Sequence, residues 1–308
     1  MVEFPTGNRG EKVHAVSDVS FKVSAGETLG VVGESGCGKS TTGRAIMQLI
    51  KPVNGEVVFN GLNLSELSGT ELREMRTQMQ MIFQDPISSL NPMRTVRDIV
   101  AEPMFIWKRG TRDEIYKRVD QVLELVGIDP ERAASSHPHQ FSGGQCQRIS
   151  IARALMLNPT LLICDEPVSA LDVSVQAQVL NLLESLKREF NLTLVFIAHD
   201  LAVVKNISDR VAVMYLGKLC ELADSDSIYT KPAHPYTRLL IESIPIPDPT
   251  RPHKDVDLAG EPPSPINPPQ GCRFHPRCPF ASETCQTQVP ELREIGPGRL
   301  VACHHPLG

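Results

Sequence analysis

The chain has 308 residues, 41% hydrophobic and 22% charged, with a net charge of −5 and a pI near 6.0. That length allows one large domain or two, with a sizeable core. The acidic balance gives no support to a nucleic-acid binder, no apolar run reaches the roughly eighteen residues that would span a membrane, and Met1-Val2-Glu3-Phe4-Pro5 is not a signal peptide. A cytoplasmic location is expected.

Ala15 to Val23 alternates with period two and reads as a strand entering a Gly26-Glu27 turn. Little precedes it to complete a first strand. Phe4, the nearest upstream aromatic, is either a surface on which adenine stacks or an edge or core residue. Thr28 to Val32 is a short apolar run, a buried strand. It leads into Gly33-Glu34-Ser35-Gly36-Cys37-Gly38-Lys39-Ser40 and Thr41, which fits the phosphate-loop pattern G-x-x-x-x-G-K-[ST] at every fixed position. The glycines let successive N–H groups point inward as an anion nest. A helix expected over 41–50 aims its positive end at the same point. Lys39 supplies a charge for the β- and γ-phosphates, and the Ser40 hydroxyl suits Mg²⁺.

Gly55 to Gly61 reads as a strand closed by an Asn-Gly turn, Glu71 to Gln78 as a polar helix, and Met79 to Phe83 as another buried strand. Gln84 at its end is either a strand-end cap or a holder of Mg²⁺ or the attacking water. From Ser88 to about Leu157 strand signals stop, and Ile115, Val119, Val122, Leu123 and Val126 mark one face of an amphipathic helix. This helical insertion ends at Phe141-Ser142-Gly143-Gly144-Gln145, either a flexible turn or an anion-binding helix start. Leu161 to Glu166 describes a buried strand tipped by two acids. Asp165 is placed to hold Mg²⁺ through water, and Glu166 to polarise the water that attacks the γ-phosphate; the alternative is an exposed strand end before Pro167.

Asp172 stands where a helix N-cap would, before an apolar stripe from Val175 to Leu186. Leu192 to Ile197 is a further buried strand, and His199 beyond it either contacts the γ-phosphate or is structural. Val211 to Leu216 and Lys218 to Leu222 form a hairpin turning at Gly217. After about residue 228 the composition shifts. Nine prolines between Pro245 and Pro269 exclude helix or central strand and suggest an extended linker or wrapped arm. Four of the eight cysteines (Cys272, Cys278, Cys285 and Cys303) crowd the last forty residues, which in a cytosolic chain reads as metal binding before disulfides.

Taken together, Gly33–Ser40, Gln84, Phe141–Gln145, Asp165-Glu166, Ser169–Asp172 and His199 stand in the order of an ABC-type ATPase, and nearly the whole chain is similar to that family. The Ala233-His234-Pro235-Tyr236-Thr237 and Pro263–Pro269 segments resemble the second ATP-binding subunit of oligopeptide and dipeptide importers. The resemblance implies an α/β phosphate-loop NTPase with a RecA-like mixed-sheet core over 1–228, a helical signature subdomain at about 88–157 and a Pro- and Cys-rich extension over 229–308. It implies an ATPase in which two such domains sandwich two ATP molecules. Ser142, Gly143 and Gly144 of one domain then close over the phosphate loop of the other, and Gln145 and Asp172 are expected among the nucleotide-binding residues. Gln84 to Pro92 would receive a permease helix.

The implied partners are two permeases, a second and different ATPase subunit and, indirectly, an extracytoplasmic peptide-binding protein. The implied place is the cytoplasmic face of the membrane. The solute is expected to be a peptide, with nickel or glutathione as alternatives. A soluble ABC ATPase acting on nucleic acid or ribosomes would carry two ATPase domains or a long coiled coil, and this chain has neither. Phe141 stands where leucine is usual and Cys146 where a polar residue is common. Some family members hold a [4Fe–4S] cluster at similar C-terminal cysteines. Here the spacing C-x5-C-x6-C-x17-C leaves that cluster, a Zn²⁺ ion or free thiols open, with His275, His304 and His305 as further donors.

Overall fold

The structure is a computed structural model and describes residues 1–8, 10–244 and 260–308. Strands β1 (Val2–Pro5), β2 (Lys12–Val16) and β3 (Thr28–Val32) precede helix α1 (Lys39–Ile46). Then come β4 (Val58–Phe59), β5 (Leu62–Asn63), α2 (Gly69–Gln78) and β6 (Met79–Ile82). A helical stretch follows: α3 (Val96–Ile106), α4 (Arg112–Leu125), α5 (Pro130–Ser135) and α6 (Gly143–Leu155). The chain continues through β7 (Leu161–Asp165), α7 (Val173–Phe190), β8 (Thr193–Ile197), α8 (Leu201–Ile207), β9 (Arg210–Tyr215) and β10 (Lys218–Asp224). It closes with α9 (Ser225–Thr230), α10 (Pro235–Glu242), α11 (Glu283–Thr287), β11 (Arg293–Gly296) and β12 (Arg299–Val301). Two compact units result, one of residues 1–23, 28–65 and 197–308, the other of 24–27 and 66–196.

In the first unit the strands lie in the order β11-β12-β10-β9-β3. β3 and β9 are parallel and the other neighbours antiparallel, so the sheet is mixed. Every residue of β3 is buried, as a parallel strand covered on both faces requires. The β9–β10 hairpin turns at Leu216 and Gly217, both with positive φ, as expected for a tight two-residue turn. The Asn60-Gly61 turn between β4 and β5 has the same character, with φ of 50° and 80°. The strand expected over 15–23 is instead β2, ending at Val16. Asp18, at φ 52°, turns the chain there, and the Ser17 N–H donates to the Gly217 carbonyl (2.7 Å). A first strand does exist: β1 pairs antiparallel with β2. Val2, Val16 and Ala45 form a small core with Phe4, Val19 and Ile50 against it, so Phe4 is packed as a core residue. Helix α1 starts two residues earlier than expected and stops at Ile46, because Gln48 turns left-handed at φ 55° and its side-chain amide donates to the Ala45 carbonyl. The strands β11 and β12, which no periodicity announced, extend the sheet from β10. The part of the proline-rich segment over 245–259 lies outside the described residues; over 260–270 there is neither helix nor strand.

In the second unit β8, β7 and β6 are neighbours, β6 and β7 parallel, and β7 is buried along its whole length. Helices α3 to α6 fill residues 88–157 without a strand, as the sequence leads one to expect. Their apolar faces meet through Ile99, Val100, Val119, Leu123 and Ile149, all 1% exposed or less. Helix α4 is fixed at its start by a capping box in which Thr111 and Glu114 satisfy each other's backbone N–H groups. No helix among the described residues is long and apolar enough to cross a membrane.

Candidate functional site

The phosphate loop joins β3 to α1. Gly33, Gly36 and Gly38 adopt φ of 150°, 77° and 101°, values that side-chain-bearing residues rarely take. Two of them also have no room for a Cβ. One on Gly33 would lie 2.1 Å from the Met214 carbonyl oxygen, and one on Gly38 2.1 Å from that of Ala15. Gly38 is the N-cap of α1, so the first N–H groups of the helix point into the loop. Lys39 is buried, 4% exposed, and its ammonium donates to the carbonyls of Gly33 (2.8 Å) and Glu34 (3.0 Å). The loop is anchored from outside by the Gly217 N–H on the Cys37 carbonyl (2.8 Å). Cys37 is buried, and burial pushes its thiol pKa up. Ser35 and Gly36 are exposed, with Ser40 and Thr41 half-buried on the first turn of α1. His199 lies exposed just beyond β8, next to Asp200, whose carboxylate caps α8 through the Ala202 N–H (2.7 Å).

The second unit carries the remaining candidates in two groups. At the strand tips, the Gln84 side-chain amide donates to the Glu166 carboxylate (3.1 Å), so two residues expected to act together do touch. Asp165 is wholly buried at the end of β7. Glu166 turns left-handed at φ 48°, and its carbonyl accepts from the Ser169 N–H (3.3 Å) and hydroxyl (3.1 Å). For a side-chain-bearing residue that conformation is uncommon and costs backbone energy. The other group is the signature turn. Ser142 caps α6 in a reciprocal box with Gln145, with bonds of 3.3 Å and 3.0 Å. Gly144 is set so close to α7 that a Cβ there would stand 2.4 Å from a Val175 methyl. Asp172 occupies the N-cap position of α7, but its side chain makes no capping bond. The turn is therefore an ordered helix start and not a flexible loop.

The C-terminal cysteines do converge: Cys272, Cys278, Cys285 and Cys303 line one small cavity with His275 and His304. Burial raises the thiol pKa values of Cys272 and Cys278 and pushes that of Cys303 to about 11. A metal centre needs thiolates held as a ligand set. No group of three or more His, Cys, Asp or Glu residues among the described ones is placed to hold a metal ion, so the structure gives no support to the expected [4Fe–4S] cluster or Zn²⁺.

Two residues to which the sequence alone assigns no role reach the phosphate loop. Arg277 makes two bonds to the Glu34 carboxylate, at 2.8 Å and 2.9 Å, and a third to the Tyr215 hydroxyl (3.3 Å). The Tyr236 hydroxyl accepts from the Glu34 N–H (2.9 Å). Arg277 was visible between two prolines, and Tyr236 in the Ala233–Thr237 segment. No local pattern ties them to a loop more than two hundred residues earlier.

Comparison with known proteins bears on these motifs. The family model described as ABC transporter matches residues 16–169, and that described as oligopeptide/dipeptide transporter, C-terminal region, matches residues 220–285. The oligopeptide transport ATP-binding protein AppF of Bacillus subtilis is 54% identical over 298 residues, covering 95% of this chain and 89% of that protein. A probable peptide ABC transporter ATP-binding protein of Sinorhizobium fredii, y4tS, is 54% identical over 95% of this chain and 82% of its own. Among solved structures, the dimeric ATP-binding cassette MJ0796 in a post-hydrolysis state bound to ADP and Pi matches with TM-score 0.66 and 31% identity, over 72% of this chain and 95% of that one. The chain belongs to the ABC transporter ATP-binding family, in the branch that carries the oligopeptide/dipeptide transporter C-terminal region.

Proposed function

We propose that this chain is the ATP-binding and ATP-hydrolysing subunit that powers import of di- and oligopeptides through a multisubunit ABC transporter. One observation carries the reading: a complete phosphate loop, signature turn and acid-tipped strand lie in the same chain as the oligopeptide/dipeptide C-terminal region.

The roles follow from residue chemistry. The N–H groups from Ser35 to Thr41 take the phosphates, and Lys39 exchanges its carbonyl partners for phosphate oxygens. Ser40, Gln84 and Asp165 are the oxygen donors for Mg²⁺, which when bound neutralises charge on the phosphates. Glu166 accepts a proton from the attacking water, Gln84 helps to orient it, and His199 donates to the γ-phosphate. Ser142, Gly143, Gly144 and Gln145 present an ordered helix start to the nucleotide of a second cassette, with Asp172 at the same face. ATP then favours the closed pair because only that state contacts both sides of the nucleotide, and hydrolysis removes the preference. An iron–sulfur or zinc centre is not part of this reading.

The assembly proposed is peripheral, on the cytoplasmic face of the membrane. It comprises two permeases, a second and different ATPase subunit, and a peptide-binding protein on the far side; domain boundaries are 1–228 for the cassette and 229–308 for the extension. The test is mass spectrometry of what co-purifies with the tagged chain from gently solubilised native membranes. Two multispanning permeases and a second ATPase are expected. Recovery only from the soluble fraction, with ribosomes or nucleic acid, would overturn the importer reading.

A further inference from the structure

Glycine-rich loops bind phosphate well only if something else holds them in shape. Gly33, Gly36 and Gly38 bring no side chains to pack, so an unsupported loop would lose backbone freedom on closing around a nucleotide. In this structure Glu34, the second residue of the loop, is held at all of its polar groups. Its carbonyl accepts from the Lys39 ammonium, its N–H donates to the Tyr236 hydroxyl, and its carboxylate takes both arms of the Arg277 guanidinium. Two of these three partners come from the far end of the chain, 202 and 243 residues away in sequence.

The surroundings make the ion pair stiff. The side chains of Arg277 and Glu34 are 4% and 20% exposed. The rings of Tyr215, Tyr236 and Phe274 pack against one another at centroid distances of 4.7, 5.2 and 5.3 Å and are all buried. Arg277 lies over the Tyr215 ring as well as bonding its hydroxyl. A bidentate guanidinium–carboxylate pair in a low-dielectric wall of aromatic rings has one geometry.

We propose that Arg277 is a positioning residue for ATP: with Tyr236, it lets the C-terminal extension hold Glu34, and through it the phosphate loop, in the nucleotide-binding shape before nucleotide arrives. The inference rests on the ATP-binding reading above. The contribution is preorganisation. Loop ordering is already complete in the folded chain, so the nucleotide does not lose affinity to it. The C-terminal region is thereby part of the nucleotide-binding machinery.

The experiment measures Mg-ATP affinity of the full-length chain by displacement of trinitrophenyl-ATP, at a temperature where thermal melts show each variant to be folded. Arg277→Ala is expected to weaken ATP about tenfold, with Glu34→Gln close to it. The double variant Glu34→Gln/Arg277→Met should be no weaker than the worse single change, because both act through one bond. Arg277→Lys should recover part of the affinity, since it restores the charge but not the fork. Should Arg277→Ala fail to fold, Tyr236→Phe carries the test; it removes only the hydroxyl and is expected to weaken ATP about threefold. Unchanged ATP affinity in folded Arg277→Ala or Tyr236→Phe, whatever the loss in melting temperature, would reduce these contacts to structural ones and overturn the proposal. Absence of ATP binding by the unaltered chain would instead overturn the reading on which it rests.

Discussion

The space behind the phosphate loop makes two neighbouring glycines separable by experiment. Gly36 and Gly38 both have positive φ, 77° and 101°. A Cβ on Gly36 meets nothing within 4 Å, whereas one on Gly38 would stand 2.1 Å from the Ala15 carbonyl oxygen and 3.3 Å from its carbon. Reaching the 3.4 Å of ordinary contact requires a shift of about 1.3 Å. Ala15 belongs to β2, which is paired to β1, and the adjoining Gly217 is bonded to both Ser17 and Cys37, so this backing cannot yield separately. Gly36→Ala should therefore cost only the left-handed backbone penalty, about 1–2 kcal/mol. Gly38→Ala adds an overpacking cost of about 1–3 kcal/mol, for a total of about 2–5 kcal/mol. It should also tilt the first turn of α1 and weaken ATP binding more than Gly36→Ala does. Urea unfolding of the full-length chain gives the first quantity and nucleotide displacement the second. Equal stability losses in the two variants would refute the argument from the Ala15 carbonyl.

Replacing Glu166 by Gln should leave ATP binding in place and lower steady-state hydrolysis by about a hundredfold or more, because the amide cannot take the proton of the attacking water; undiminished turnover would remove Glu166 from that role. Gly144→Ala should destabilise the chain by about 1–3 kcal/mol through the Val175 methyl, and the additional change Val175→Ala should recover most of it; failure of the second change to rescue would place the strain elsewhere. His234 gives a pH prediction. It is buried, its Nδ1 accepts the Tyr236 N–H (3.0 Å), and burial depresses its pKa from 6.5 to about 4. The unfolded chain therefore binds the proton first as pH falls. Stability is whole above the unfolded value and is lost through the window from 6.5 to about 4, by about 2 kcal/mol between about pH 7 and pH 5. Unfolding curves of the wild type and His234→Gln over that range should differ by that slope, and parallel curves would exclude His234 as its source.

What the sequence made legible is what short-range chemistry specifies. The phosphate loop, the signature turn and the acid-tipped strand each need particular residue types at consecutive positions. The bonds that realise them are local, such as the Ser142–Gln145 box or Gly38 at the start of α1. The helical insertion was legible for the same reason, since its apolar stripe repeats every helical turn. Boundaries were less so. α1 ends where Gln48 turns left-handed, and β2 ends where Asp18 does; both conformations are imposed by packing and neither residue demands them.

The tertiary structure alone decided how the two ends of the chain support the loop. β1 and β12 are short strands, of 4 and 3 residues, defined by the partners they pair with, and a period cannot be read in so few positions. The same holds for Arg277 and Tyr236. Their chemistry is plain in the sequence, yet a bidentate ion pair and a hydroxyl on one backbone N–H are long-range contacts with no spacing rule to reveal them. The cysteines show the converse: their clustering in sequence does bring them to one cavity, but the closing geometry that would make them a ligand set is a tertiary matter, and the described residues do not supply it. Sequence determines which groups are available at a site. Only the folded chain determines which of them are held still, because rigidity comes from burial and from partners contributed by segments hundreds of residues apart.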